Sequence, residues 1–138
     1  MEANKEALLK KWNELSEDNL MRFWEIELIS IDETSVTFRM PVTEKVTQVD
    51  GVLHGGATLA LAETAGSVGA FLLYRNEGES IRGIELSGNH LRAAKLGDTV
   101  FAKAKCINAG KTLQLWEIPI TNQEGKLISF CKFTTIKI

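Results

Sequence analysis

Apolar positions recur along this chain with two different periods, and the changes of period divide it into elements. Leu8, Leu9, Trp12 and Leu15 stand at helical spacing among lysines and glutamates, so residues 3–15 read as an amphipathic first helix ending near Ser16–Asn19. Two short strands follow at 26–31 and 35–42, around Asp32-Glu33-Thr34. In the second, Val36, Phe38 and Met40 mark one buried face. Residues 57–73 differ from everything before them: they are apolar on every face, rich in Ala and Gly, and carry Glu63 as their only charged side chain. A turn at Asn76-Glu77-Gly78 closes this segment, and four β-rich runs complete the chain at 80–92, 98–108, 112–121 and 127–137. Their separators, Leu96-Gly97-Asp98, Asn108-Ala109-Gly110 and Asn122-Gln123-Glu124-Gly125, carry the chemistry of hairpin turns.

The order is therefore α-β-β-α-β-β-β-β, an α+β chain. An antiparallel sheet wrapped round one helix buried on all sides satisfies both the alternating strands and the uniformly apolar helix. Residues 57–73 are nearly long enough to suggest a membrane span. However, they contain Thr58, Glu63, Thr64 and Ser67, and no second span accompanies them. The buried central helix of a soluble fold is the simpler reading. Its small residues Gly66, Gly69 and Ala70 would permit close approach by a second chain or a slender ligand.

Composition narrows the function. The 138 residues, 44% hydrophobic and 25% charged, describe a single domain spanning 1–138, without linker, repeat or low-complexity segment. A formal charge of -2 argues against nucleic acid or an anionic membrane surface as a general partner, so any phosphate recognition must rest on local cations. Cys106 and Cys131 have no CxxC spacing, and the first residues lack the layout of a signal peptide, which leads to the expectation of a cytoplasmic protein with reduced thiols. His54 and His90 belong to no HxH, HExxH or cysteine cluster, so no metal site is expected.

The chemistry concentrates where Val49-Asp50-Gly51-Val52-Leu53-His54-Gly55-Gly56 runs into the apolar segment. A carboxylate buried alone is costly, and burial would raise the pKa of Glu63 toward the range of a base or nucleophile at neutral pH. The two glycines let the backbone approach a ligand, and a helix beginning there points free N–H groups and the positive end of its dipole at an oxygen. Carboxylate, histidine and backbone oxyanion donor together make the parts of an acyl-transfer site. Each has an ordinary alternative. Glu63 could pair with a cation from another strand, although its own helix offers none and Ser67 lies at i+4 on the same face. His54 could simply tie the loop to the helix, and a double glycine alone signals only a tight turn. Lys111 and Thr112, following Gly110, could meet a phosphate or merely face solvent. Trp12, Trp24 and Trp116 read as core or interface aromatics rather than ligand stackers.

This order of elements, with His54-Gly55-Gly56 opening the central helix, resembles the hotdog fold. More closely, the chain is similar to hotdog thioesterases of the 4-hydroxybenzoyl-CoA and phenylacetate type, above all the branch acting on aroyl-CoA in menaquinone and siderophore pathways. The resemblance rests on Gln48-Val-Asp-Gly-Val-Leu-His54-Gly-Gly-Ala57, on Leu61-Ala-Glu63-Thr-Ala-Gly66-Ser67 and on Asn89-His90-Leu-Arg92. It implies hydrolysis of an acyl-CoA, with an aromatic acyl group, and no cofactor. Gln48 and His54 would orient the thioester, the Gly55 N–H would polarise its carbonyl, Glu63 would act as nucleophile or base, and Ser67 would position water or substrate. Asn89, His90 and Arg92 would lie beside the CoA, with Lys111 and Thr112 as further candidates for its phosphates. The resemblance also implies homodimers whose active sites are shared between chains, often paired again into tetramers. Two rivals differ in sequence. A hotdog hydratase or dehydratase would carry a Pro-rich loop and a wider His-to-acid spacing, or an Asp and His five apart; here Pro41 and Pro119 are the only prolines. A non-catalytic acyl-CoA sensor would need an output domain, for which 138 residues are expected to leave no space.

Overall fold

A computed structural model describes residues 2–138. Helices α1 (Glu2–Leu15) and α2 (Leu20–Phe23) precede strands β1 (Glu27–Ile31) and β2 (Ser35–Pro41). A loop with one 3-10 turn leads to α3 (Gly55–Tyr74), and β3 (Ile81–His90), β4 (Thr99–Ala109), β5 (Leu113–Asn122) and β6 (Leu127–Lys137) complete the chain. The six strands form one sheet in the order β1-β2-β4-β5-β6-β3, with every pair antiparallel. The short α2 has no periodicity to betray it; Asn19 caps it by accepting a hydrogen bond from the Met21 N–H.

The sheet curls round α3 because large and small residues alternate across neighbouring strands. Val36, Phe38 and Met40 on β2 face Ala104, Ala102 and Val100 on β4, all fully or almost fully buried, and the two alanines leave room for the helix. Trp116, Ile118 and Ile120 on β5 and Cys131 and Phe133 on β6 continue the core. The buried polar atoms within it are paired: Trp116 Nε1–H donates to Thr135 Oγ1 at 3.1 Å, and that hydroxyl donates to Gln114 Oε1 at 2.8 Å. Both cysteines are free, and burial pushes the Cys131 thiol up to about 11. By length and composition alone α3 could cross a membrane, but it is the helix on which the sheet packs.

Three sequence expectations are corrected. First, α3 is not buried on all sides. Ala57, Leu61, Ala62 and Ala65 turn inward, whereas Glu63 is exposed and Thr64 and Ser67 are half-buried. One concave sheet covers only one side of a helix, and α1 and α2 cover only part of the other. The lone buried carboxylate is therefore absent from the single chain. Second, Gly66 and Gly69 do not wait for a partner or a ligand. A Cβ on Gly66 would lie 2.3 Å from the Phe133 ring, and one on Gly69 would lie 3.0 Å from the Trp116 ring. Both glycines, like the fully buried Ala70, let α3 settle on its own sheet. Third, Leu96-Gly97-Asp98 closes no hairpin, because β3 pairs only with β6 at one edge while β4 lies between β2 and β5. Residues 91–98 cross from that edge to the middle of the sheet. Gly97, at φ +94°, makes the final turn, with its N–H on Val42 O at 3.0 Å.

Candidate active site

The glycine-rich loop is a small hairpin with its own fastenings. Thr47 bridges Leu53, and the turn between them closes through the Gly51 N–H on Gln48 O at 2.9 Å, which Gly51 permits by its φ of +78°. The Gln48 side-chain oxygen accepts the Asp50 N–H. Leu53 N–H on Ala94 O and His54 N–H on Val46 O, both at 2.8 Å, then pin the strand that enters α3. The start of the helix is thereby fixed relative to residues 92–95.

His54 is the N-cap of α3. Its Nδ1 accepts the N–H groups of Gly56 at 2.8 Å and Ala57 at 3.3 Å, a task usually done by Ser, Thr, Asp or Asn. An Nδ1 that accepts hydrogen bonds carries no proton, which assigns the neutral ring's proton to Nε2. The Thr58 N–H is taken by the His54 carbonyl. Of the first amides of α3, the Gly55 N–H alone has no partner among the described residues. It sits at the positive end of a 20-residue helix, ready for an oxyanion.

The paired glycines have separate steric reasons. A Cβ on Gly55 would lie 2.9 Å from His90 Nε2, and one on Gly56 would lie 2.8 Å from His54 Cε1. Gly56 thus admits the capping imidazole, and Gly55 admits a second imidazole from β3. The His90 ring is held in that place by a 2.8 Å hydrogen bond between Nδ1 and Ser129 Oγ on β6. Ser129 is 1% exposed, and nothing in the sequence marks it, since a serine inside an apolar strand is commonplace.

Gly55 and His90 line a cavity of about 400 Å³ together with Gln48, Thr58, Arg92 and Ser129. Glu63 and Ser67 open instead into a different cavity of about 460 Å³, walled by Trp12, Met21 and Phe71. Along α3, eight residues at roughly 1.5 Å each put Glu63 roughly 12 Å beyond Gly55. A single chain does not bring its own carboxylate to its own oxyanion donor. His54 faces a third, smaller cavity beside Trp24 and Lys45. Asn89 is exposed on β3, next to His90. Lys111 and Thr112 are also exposed, at the opposite end of the sheet from Arg92: Leu113 pairs with Ile136, whereas His90 pairs with Ser129, seven positions away along β6. Within one chain, the predicted site residues therefore fall into two half-sites and an outlying pair. Thr58 and Ser129 line the Gly55 cavity and Trp12 the Glu63 cavity, positions that the sequence pattern does not assign to them.

Comparison with known proteins places this geometry. Residues 50–129 match the thioesterase superfamily. The chain is 34% identical to the 1,4-dihydroxy-2-naphthoyl-CoA hydrolase of Escherichia coli, over 92% of each protein. It is 40% identical to the Listeria monocytogenes protein of the same name, over 79% of this chain and 87% of that one. A crystal structure of a thioesterase from Haemophilus influenzae superposes with a TM-score of 0.89 at 36% identity, covering 94% of this chain and 90% of the other. Loop, helix start and sheet fall within the shared region, and the chain belongs to the thioesterase superfamily as a thioester hydrolase of the hotdog fold.

Proposed function

We propose that this protein hydrolyses an acyl-CoA carrying an aromatic acyl group, in active sites built from two chains. The observation that carries the reading is the Gly55 N–H, left uncapped at the start of α3 by a histidine that ties up its neighbours. The thioester carbonyl oxygen would accept that N–H, and a preorganised donor of this kind is worth roughly 3–4 kcal/mol in the transition state. Glu63 of the partner supplies the carboxylate that each chain cannot deliver to its own Gly55. It either attacks the carbonyl carbon, expelling CoA thiolate and leaving a mixed anhydride for water to cleave, or takes a proton from a water that attacks directly. Ser67, one turn further along α3, positions that water or the substrate. Gln48 shares the Gly55 cavity and would orient the thioester, while His54 acts through the backbone it caps.

The aromatic acyl group is supported by the names of the relatives from E. coli and L. monocytogenes. Neither route needs a cofactor. The two free thiols suit a reducing compartment, the cytoplasm. Purified protein mixed with a panel of acyl-CoAs and a thiol reagent tests the function: aroyl-CoA should release CoA faster than aliphatic acyl-CoA of similar size. No CoA release from any member would overturn it. Single turnover in labelled water separates the two routes, since label recovered in Glu63 reports the anhydride.

A further inference from the structure

His90 and Ser129 face each other across β3 and β6, and Ser129 also pairs with Ile120 on β5, so the sheet holds its backbone from both sides. The serine side chain is buried and has one partner among the described residues, His90 Nδ1 at 2.8 Å. That single contact assigns the protons. Were Nδ1–H the donor, the serine hydroxyl would be left as a buried donor without an acceptor, the costly arrangement. With the hydroxyl donating, both groups are served and the neutral ring carries its proton on Nε2. The ring aims that proton at a definite place. A Cβ on Gly55 would meet His90 Nε2 at 2.9 Å, ahead of Cδ2 at 3.2 Å and Cε1 at 3.6 Å, so Nε2 leads the ring into the space that the glycine leaves empty. A Cβ stands roughly 2.5 Å from its own backbone nitrogen, which puts His90 Nε2 and the Gly55 nitrogen at most roughly 5.4 Å apart. One oxygen in the cavity that both residues line can therefore accept from both at an ordinary length of about 2.9 Å.

We infer that Ser129 is a positioning residue that fixes His90 as a second donor to the oxyanion, its Nε2–H joining the Gly55 N–H on the carbonyl oxygen of the thioester. The inference rests on the acyl-CoA reading above, which seats that oxygen at Gly55; it adds a donor and the residue that aims it. Charge on the oxygen is small in the substrate and grows as the tetrahedral intermediate forms, so a preorganised pair of donors acts chiefly in the transition state. No proton is transferred in this role. The neutral imidazole donates a hydrogen bond and keeps its proton, and the oxygen returns to a carbonyl as CoA thiolate leaves. An imidazole already held by a buried hydroxyl also loses little freedom when substrate binds.

NMR of the imidazole nitrogens in isotope-labelled protein tests the proton assignment directly, because His54 and His90 are the only histidines and a His90→Phe spectrum tells their signals apart. At a pH where both rings are neutral, His90 should show a proton on Nε2 and a bare, hydrogen-bonded Nδ1. In Ser129→Ala the Nδ1 signal of His90 should move while the signals of His54 stay. A proton on Nδ1 in the wild type, or an Nδ1 signal indifferent to Ser129→Ala, overturns the inference and leaves the thioesterase reading standing. Steady-state kinetics on one acyl-CoA tests the oxyanion role. His90→Phe keeps a ring and removes the donor, so kcat should fall about a hundredfold with KM within about twofold, and Ser129→Ala should lose about tenfold in kcat. A raised KM at unchanged kcat in His90→Phe would put the ring on the CoA arm and overturn the inference as well. Failure of the wild type to hydrolyse any acyl-CoA overturns the thioesterase reading and the oxyanion role together.

Discussion

At the scale of single residues, Glu63 and Gly55 carry the heaviest consequences. Glu63→Ala should lower kcat about a thousandfold or more with little change in KM, because a nucleophile or base acts chiefly in the transition state. Glu63→Asp keeps the charge but withdraws it by one methylene, and a misplacement of that order costs about a hundredfold. Steady-state kinetics on one good substrate checks both. Gly55→Ala should cost about a hundredfold or more in kcat, since its Cβ would meet His90 Nε2 at 2.9 Å and shift either the ring or the amide. In a His90→Ala background the same change meets no ring, so the double variant should lose less than the two single losses combined. Additive losses would show that the contact is idle. As candidates, His54, Gly55 and Glu63 stand out in the sequence because uncapped amides, glycines and a solitary carboxylate are local features, although the burial expected of Glu63 is not found in the single chain. The place of His90 was not legible: its value lies in a contact with Gly55, 35 positions away, and in a serine 39 positions away, which no local pattern encodes.

At the scale of elements, the periods were informative wherever an element had two unlike faces. The β2 alternation, the four later strands and the amphipathic α1 follow the expected boundaries within about two residues, the usual uncertainty of an element end. The Leu96-Gly97-Asp98 turn was misread because turn chemistry specifies a reversal and not a partner. Pairing β3 with β6 is a decision of the whole sheet. Likewise a uniformly apolar helix looks buried on every side, and only the sheet shows which side remains open. The inward side is tightly fitted, which gives a stability prediction. Gly66→Ala places a Cβ 2.3 Å from Phe133 Cδ2, with Ile118 at 3.1 Å, and should destabilise the fold by about 1–3 kcal/mol. Denaturant unfolding should show a lower midpoint at unchanged slope. Wild-type stability in that variant would mean that the helix can lift from the sheet without cost.

At the scale of the molecule, the two edges of the sheet are treated differently. The Leu28 N–H and C=O on β1 are taken by Asn13, whereas β3 is almost entirely exposed along its length and carries Ile84 at 55% exposure. An open, partly apolar edge invites a second strand, and an antiparallel β3–β3 pair about a two-fold axis is the self-complementary solution. Such a pair turns the partner end for end. It sets the Lys111 end of one chain toward the Arg92 end of the other, so Arg92→Ala and Lys111→Ala should each raise KM for acyl-CoA more than they lower kcat. Equal effects on an acyl-pantetheine lacking the nucleotide would show that neither residue reads the phosphates. Ile107, Leu113 and Leu115 on β4 and β5 add further exposed apolar side chains away from that edge.

The proposal of a shared site is open to a direct experiment, because the two half-sites can be disabled on separate chains. Chains carrying Glu63→Ala keep an intact Gly55 half, and chains carrying Gln48→Ala with His54→Ala keep an intact Glu63 half. Each homodimer then has two broken sites. A hybrid dimer has one site built from both intact halves and one built from both damaged halves. With free subunit exchange at equal amounts, half the dimers are hybrids, and symmetry then gives about a quarter of wild-type activity. Activity that stays at the level of the separate variants, after exchange has been verified by mass spectrometry of tagged chains, would assign each site to one chain. That outcome would require Glu63 to reach the Gly55 amide across roughly 12 Å of its own helix, which a rigid α-helix does not allow. Recovery is therefore the result expected of the proposed two-chain site, and sedimentation at assay concentration should then show no monomer.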